Sequence, residues 1–362
     1  MAADPAEFYL PMGQRGTSIL LGSGLVDSLG SILRARELNG RAVLVTDSNI
    51  EPLHAARAAR SLAVSGFEPL QLSVPAGEES KSLDSIASLY AEFARANVER
   101  SDFVVALGGG MIGDLAGFAA ATYLRGLRWV CVPTSLLAMV DASIGGKVGV
   151  DLPAGKNLAG AFHPPIATIS DLDLLNTLPD REYRSGLAEV IKAGLIADPE
   201  LFEMIEQGQA DRREMIWRAL EVKIDIVRAD PFESGRRAAL NVGHTIGHGL
   251  EAATGYQLRH GEAIAIGLIA EAKIAERLGL ARSRLSDRIE HVIDRVGLPT
   301  RYTGLEGEAI MAWMRSDKKR QAGQLKFALP RSIGDVVVGI AVEDAVVREV
   351  LASLRQIEKE AA

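Results

Sequence analysis

The chain has 362 residues, longer than one ordinary hydrophobic core supports, so two domains are expected. Its 48% hydrophobic and 24% charged residues are the balance of a globular chain, and a formal net charge of -7 argues against nucleic-acid or anionic-membrane partners, which want a basic face. The single cysteine, Cys131, excludes an intramolecular disulfide and a thiolate-rich metal site. In chain order, the N-terminal segment lacks the basic and apolar regions of a signal peptide, and no run reaches membrane-spanning length, so a cytoplasmic location is expected. Strands are predicted at Ala42–Thr46, Pro69–Val74, Phe103–Leu107 and Trp129–Val132, the last placing Cys131 in a buried strand. A helix is predicted over Ser82–Ala96, and strand–helix alternation implies a parallel sheet covered on both faces. Beyond Asp173 the texture becomes helical, with amphipathic segments at 180–197, 199–207, 211–229, 238–254, 261–278 and 284–295. Thr177–Asp180 reads as a capping box with a proline near the first turn, and 323–330 with 335–339 as a small hairpin. The expected fold is α/β: a Rossmann-like parallel-sheet domain over 1–175, then a mostly helical domain over 176–362, with the active site in the cleft between them.

Three clusters of residues carry chemistry. Gly108–Asp114 follows a strand and opens a helix, which formally satisfies G-x-G-x-x-G, where glycines let the backbone approach a pyrophosphate. The loop is not at the first strand and lacks an acidic residue at the usual distance, so phosphate site and tight structural turn stay open as readings; Asp47 is a candidate ribose partner. Three of the six histidines, His244, His248 and His260, fall within one short window. His244 and His248 are spaced i, i+4 and share a face if the segment is helical, which makes them the obvious ligand pair; surface or capping histidines are the plain alternative. Glu189, interrupting an apolar helix three residues before Lys192, is the candidate acidic partner. Basic residues in apolar contexts or glycine-rich loops, namely Lys147, Lys156, Lys192, Lys223, Arg237 and the pair Lys318 and Lys319, together point to a ligand bearing phosphate or carboxylate.

Five stretches carry a resemblance. They are Gly108–Gly126 (GGGMIGDLAGFAAATYLRG), Val132–Phe162 (VPTSLLAMVDASIGGKVGVDLPAGKNLAGAF), Asp173–Ile196 (DLLNTLPDREYRSGLAEVIKAGLI), Arg237–Gly267 (RAALNVGHTIGHGLEAATGYQLRHGEAIAIG) and Ser316–Pro330 (SDKKRQAGQLKFALP), with Gly77–Ser82 (GEESKS) also fitting. In this order they resemble the 3-dehydroquinate synthase family of sugar phosphate cyclases. The resemblance implies conversion of 3-deoxy-D-arabino-heptulosonate 7-phosphate to 3-dehydroquinate and phosphate, a step of the shikimate pathway. It proceeds by transient NAD oxidation, phosphate elimination, re-reduction and intramolecular aldol cyclisation, with NAD and zinc or cobalt as cofactors.

The site residues follow from the same resemblance. The metal ligands implied are Glu189, His244 and His260, with His248 moved to a substrate-proximal catalytic role. Asp141, Lys147, Asn157, Lys192, Lys223, Arg237 and Asn241 match substrate positions, Lys223 and Arg237 on the carboxylate and Lys147 with Asn157 on the phosphate side. Lys319, with Lys318 as its alternative, is implied to reach the phosphate. Arg125 matches a residue contributed across a dimer interface, so a homodimer is implied. NAD positions are Asp47, Asn49, Glu78, Lys81, Gly110, Met111, Ile112, Gly113, Asp114, Thr134, Ser135, Lys147, Lys156, Leu174 and Thr177. The chain departs from the family at Ser135, Val148, Asp151 and Asp230–Glu233, which touches the cofactor loop and leaves the implied zinc ligands intact. The rivals are another sugar phosphate cyclase, whose substrate lacks a carboxylate, a metal- and NAD-dependent polyol dehydrogenase, which would accumulate reduced cofactor, and a non-catalytic NAD-binding protein, which needs no metal triad.

Overall fold

The computed structural model describes residues 5–13, 15–233, 235–318 and 325–356. The chain divides into two compact units, Met1–Pro179 and Asp180–Ala362. Among the described residues the first holds nine strands: β1 (Ala6–Met12), β2 (Arg15–Gly22), β3 (Ala42–Asp47), β4 (Pro69–Val74), β5 (Phe103–Gly108), β6 (Arg128–Pro133), β7 (Lys147–Leu152), β8 (Gly155–Phe162) and β9 (Ala167–Asp171). Seven form one sheet in the order β1-β2-β9-β6-β5-β3-β4, parallel except for the antiparallel β1–β2 edge pair. β3, β5 and β9 are buried at every residue, the burial a strand acquires when both faces of its sheet are covered. From β3 the chain steps outward to β4 and then returns across β3 to β5. Right-handed crossovers therefore place helix Ala56–Val64 on one face and helix Leu83–Arg95 on the other. That reversal makes the carboxyl ends of β3 and β5, at Asp47 and Gly108, the switch point where parallel α/β sheets bind ligands.

All four predicted strands and the 82–96 helix are present, the helix running Leu83–Arg95 with the Ser82 hydroxyl accepting from the Ser85 N–H. The glycine-rich stretch around Lys147, Lys156 and Asn157, read above as loop, is the antiparallel hairpin β7–β8. Its strands cross at Gly149 and Gly160, and a Cβ at Gly149 would lie 2.7 Å from the Ala159 carbonyl oxygen. Glycine there serves strand packing.

In the second unit the helices are Asp180–Ala197, Pro199–Gln207, Arg212–Ala229, His244–Ala253, His260–Arg277, Leu285–Arg295, Gly307–Lys318 and Asp344–Leu354, with a hairpin β10 (Lys326–Ser332) and β11 (Asp335–Ala341). Helix His260–Arg277 is buried over nearly all of Gly261–Ala275 and packs against four other helices and β10, which makes it the centre of the unit. Two local expectations fail. The 238–254 segment is a 3-10 turn Arg236–Asn241 and then helix His244–Ala253, broken at Gly243, whose φ of +81° lies in the left-handed region. Thr177 does not form the predicted capping box: its hydroxyl donates to the Leu174 carbonyl and closes the 3-10 turn Leu172–Thr177. Among the described residues, no helix is long and apolar enough to cross a membrane.

Candidate active site

Three helices of the second unit meet through glycines. Gly261, at the start of helix His260–Arg277, lies so close to helix Asp180–Ala197 that a Cβ would come within 1.8 Å of the Ser185 carbonyl oxygen; its N–H donates to the Ser185 hydroxyl at 3.0 Å. A Cβ on Gly267 would sit 2.0 Å from the Gly243 carbonyl oxygen, so helix His244–Ala253 is held as tightly on the other side. This close packing converges Glu189, His244 and His260, borne by three different helices. Glu189 Oε1 lies 3.3 Å from His260 Nε2 and 3.6 Å from His244 Nε2. Ligand atoms about 2.1 Å from a tetrahedral zinc ion stand about 3.4 Å apart, which these two separations match, and all three donor atoms lie within 4.8 Å of one another.

His244 Nδ1–H donates to the Val242 carbonyl at 3.1 Å, which leaves the Nε2 lone pair turned toward Glu189. Burial, then the Lys192 charge, hold His244 well below the usual histidine range, so the ring is neutral. Burial also opposes the His260 charge, but hydrogen bonds to the Glu189 and Glu251 carboxylates override it and raise this ring to about 10. Lys192 is buried and ion-paired with Glu189 one helical turn away.

The histidine rings of His244, His248 and His260 stand 5.2 to 6.0 Å apart by centroid, so the cluster seen in the sequence is one cluster in space. His248 shares its helix face with His244 but is half exposed, and its Nε2 is 3.9 Å from Glu251 Oε2. A second possible donor group, His248, Glu251 and His260, therefore borders the first and shares His260 with it. Lys223 and Arg237 are buried, on elements packed against helix Asp180–Ala197. The Arg237 guanidinium is anchored through Nη1, which donates to the Pro231 carbonyl at 2.6 Å, and Asp230 accepts the Arg237 and Gly235 N–H groups. Asn241 is exposed at the end of its turn. Lys319 lies outside the described residues.

In the first unit the candidate cofactor residues gather at the carboxyl ends of β3, β5 and β6. Gly110, Met111, Ile112, Gly113 and Asp114 open helix Gly110–Thr122, with N-cap Gly109 extended, so the first-turn N–H groups stand at the end of β5. The Thr134 N–H donates to the Gly108 carbonyl, and the Ser135 hydroxyl accepts from the Ala138 N–H, which keeps a hydroxyl beside Gly109. Asp47 accepts the N–H groups of Asn49 at 2.9 Å and Ile50 at 3.1 Å, so its carboxylate also shapes the turn that holds Asn49. Lys81 is buried, with Nζ 2.5 Å from Asp114 Oδ2 and 2.5 Å from Asn157 Oδ1; burial works against its charge, and the Asp114 and Glu78 carboxylates outweigh that and raise it. Lys156 faces Glu78 at 3.5 Å, and the departure residue Asp151 accepts the Asn157 N–H at 2.7 Å. Lys147 begins β7 and, with Asp141 on the neighbouring turn Ala138–Ala142, lies near the glycine loop, Lys147 lining a small cavity with Gly109, Gly110 and Gly113. Leu174 is buried under Thr177. Arg125 follows Leu124, and both are left-handed, at φ of +69° and +49°, a costly conformation for residues with side chains. Burial pushes the Cys131 thiol up to about 12, so it supplies no nucleophile.

Three residues escaped the sequence reading. Glu271, fully buried, accepts from the Gly243, Thr245 and Ile246 N–H groups and so caps the helix that carries His244; its signal was an acid inside the otherwise apolar run Ala263–Ala272. Glu251 stands 3.3 Å from His260 Nδ1; it lies three residues after His248, on the histidine face. His54 is buried with Nε2 2.7 Å from the Thr177 hydroxyl, a long-range contact that local pattern could not reveal.

Comparison with known proteins identifies the family. The sequence model for the 3-dehydroquinate synthase N-terminal region matches residues 71–185, and that for the C-terminal region matches residues 186–320. The 3-dehydroquinate synthase of Symbiobacterium thermophilum is 44% identical over 359 residues, covering 96% of this chain and all of that protein. Among solved structures, 2-epi-5-epi-valiolone synthase from Streptomyces hygroscopicus subsp. jinggangensis, with NAD+ and Zn2+ bound, is similar at a TM-score of 0.87 and 27% identity, covering 95% of this chain and 98% of that one. A 2-deoxy-scyllo-inosose synthase complexed with carbaglucose-6-phosphate, NAD+ and Co2+ reaches a TM-score of 0.88 at 25% identity, covering 96% and 99%. The chain belongs to the 3-dehydroquinate synthase family.

Proposed function

We propose that this protein is a 3-dehydroquinate synthase, a phosphate-eliminating carbon–oxygen lyase that works as a cytoplasmic homodimer with NAD and zinc or cobalt. The observation that carries the reading is the convergence of Glu189, His244 and His260 at tetrahedral ligand spacing, in a chain whose two halves match the two halves of the family. Bound NAD supplies a hydride acceptor and the metal supplies a Lewis acid for the same hydroxyl-bearing carbon. The chain does the rest. The first-turn N–H groups of helix Gly110–Thr122 face the cofactor phosphates. Arg237, with a guanidinium oriented in advance by Pro231, and Lys223 hold the substrate carboxylate. Lys147 and Asn157 hold the phosphate, and His248, half exposed beside the metal ligands, moves protons at the substrate.

The two buried cations favour a carboxylate-bearing heptulosonate over the carboxylate-free sugar phosphates of related cyclases. The test is to supply 3-deoxy-D-arabino-heptulosonate 7-phosphate, sedoheptulose 7-phosphate and glucose 6-phosphate separately, and to measure kcat/KM for phosphate release. The heptulosonate phosphate should exceed the other two by at least about a hundredfold, the loss expected when a bidentate charged contact goes unmade. Comparable or faster turnover of a sugar without the carboxylate would reassign the substrate.

A further inference from the structure

Two overlapping donor groups meet at His260, and the ring cannot serve both with the same nitrogen. In one group His260 Nε2 lies 3.3 Å from Glu189 Oε1; in the other its Nδ1 lies 3.3 Å from Glu251 Oε2. An imidazole that ligates a metal has given up its second proton and keeps one, so whichever nitrogen holds it is closed to the metal. The partner histidine settles which. His244 Nδ1–H donates to the Val242 carbonyl, and its open Nε2 faces Glu189, as does Nε2 of His260. Both open lone pairs meet at Glu189 only if the His260 proton sits on Nδ1, facing a carboxylate that accepts it.

We infer that Glu251 is a positioning residue: it fixes the tautomer and rotation of His260 and is not itself a metal ligand. The side chain suits that task, since it is 8% exposed, is carried by the same helix as His244, and lies between His260 and the half-exposed His248. A carboxylate behind a ligating histidine raises the basicity of the ligand nitrogen and holds the ring in register, and removing such a partner typically lowers metal affinity about 10- to 100-fold. The inference rests on the metal-dependent reading above and extends it to a residue that the family resemblance left unassigned.

The test measures zinc affinity by chelator competition and the visible absorption of the cobalt-loaded protein for wild type, Glu251→Gln, Glu251→Ala and Glu189→Ala, with circular dichroism as the check on folding. Glu251→Ala is expected to bind zinc about 10- to 100-fold more weakly, Glu251→Gln by less, and both to keep one bound ion with an altered cobalt spectrum. Glu189→Ala is expected to lose the ion. Wild-type zinc affinity and an unchanged cobalt spectrum in folded Glu251→Gln and Glu251→Ala would overturn the inference. Loss of binding as complete as in Glu189→Ala would overturn it too, by making Glu251 a ligand. If neither Glu251 variant folds, Glu251 is a core support and the inference fails. A wild-type protein that binds no zinc would instead remove the metal-dependent reading itself.

Discussion

Asp198 shows how much of the second unit's stability is electrostatic at single residues. It caps helix Pro199–Gln207 by accepting the Leu201 N–H at 3.0 Å, and Arg218 clasps it with two nitrogens at 2.8 and 2.9 Å. Burial works to raise this carboxyl, but the Arg218 guanidinium and the Leu201 N–H override it and hold it below the usual value. A folded-state value below the unfolded one contributes stability above the unfolded pKa, and that stability is lost as pH falls through the folded pKa. Asp198→Ala should therefore cost about 1–3 kcal/mol at neutral pH by urea unfolding, with the difference from wild type shrinking below about pH 4. A difference that is constant with pH would mean that the cap geometry, not the charge, is what matters. Two histidines show the opposite use of environment at this scale: burial and then Arg57 lower the buried His54, whereas two carboxylates raise the partly exposed His260 against desolvation.

At the scale of elements, the proposed metal ligands Glu189, His244 and His260 are placed by helix contacts so close that only glycine fits. Gly261→Ala would put a methyl group 1.8 Å from the Ser185 carbonyl, and because the obstacle is backbone, one helix must move. The expected outcome is a loss of about 2–4 kcal/mol, a melting temperature lower by several degrees and weaker zinc binding in the same variant. Unchanged zinc affinity in a destabilised Gly261→Ala protein would separate the helix contact from the site. The same contacts mark the limit of reading sequence. Periodicity located helix Asp180–Ala197 and its neighbours well, because one apolar stripe is a local pattern. It could not say that Gly243 ends one turn and starts the helix bearing His244, since that depends on Glu271 receiving the freed N–H groups from a distant helix. Nor could it see β7 and β8, where lysine and glycine read as loop but pair across a hairpin. The histidine spacing offered His244 with His248, and the residues themselves singled out Glu189 as the acidic partner; only the resemblance put His260 in the place of His248, because spacing along one helix says nothing of a ring carried by the next.

At the scale of the whole molecule, each unit carries one of the two proposed cofactor sites. The first presents a helix N-terminus and a cluster of Lys81, Asp114 and Asn157 at the switch point of a parallel sheet. The second presents the Glu189, His244 and His260 triad with buried cations nearby in the fold. The -7 net charge coexists with these local cationic positions, so an anionic substrate is recognised by placement and not by overall field. The central claim is that NAD is used and restored within one turnover. Its most direct measurement follows phosphate release from 3-deoxy-D-arabino-heptulosonate 7-phosphate with NAD far below the substrate concentration, in zinc-loaded protein. Phosphate should form in many-fold excess over NAD, one per substrate consumed, with no accumulation of NADH and with activity abolished by chelation and restored by zinc or cobalt. Phosphate release that stops at the amount of NAD supplied, with NADH accumulating in step, would contradict it.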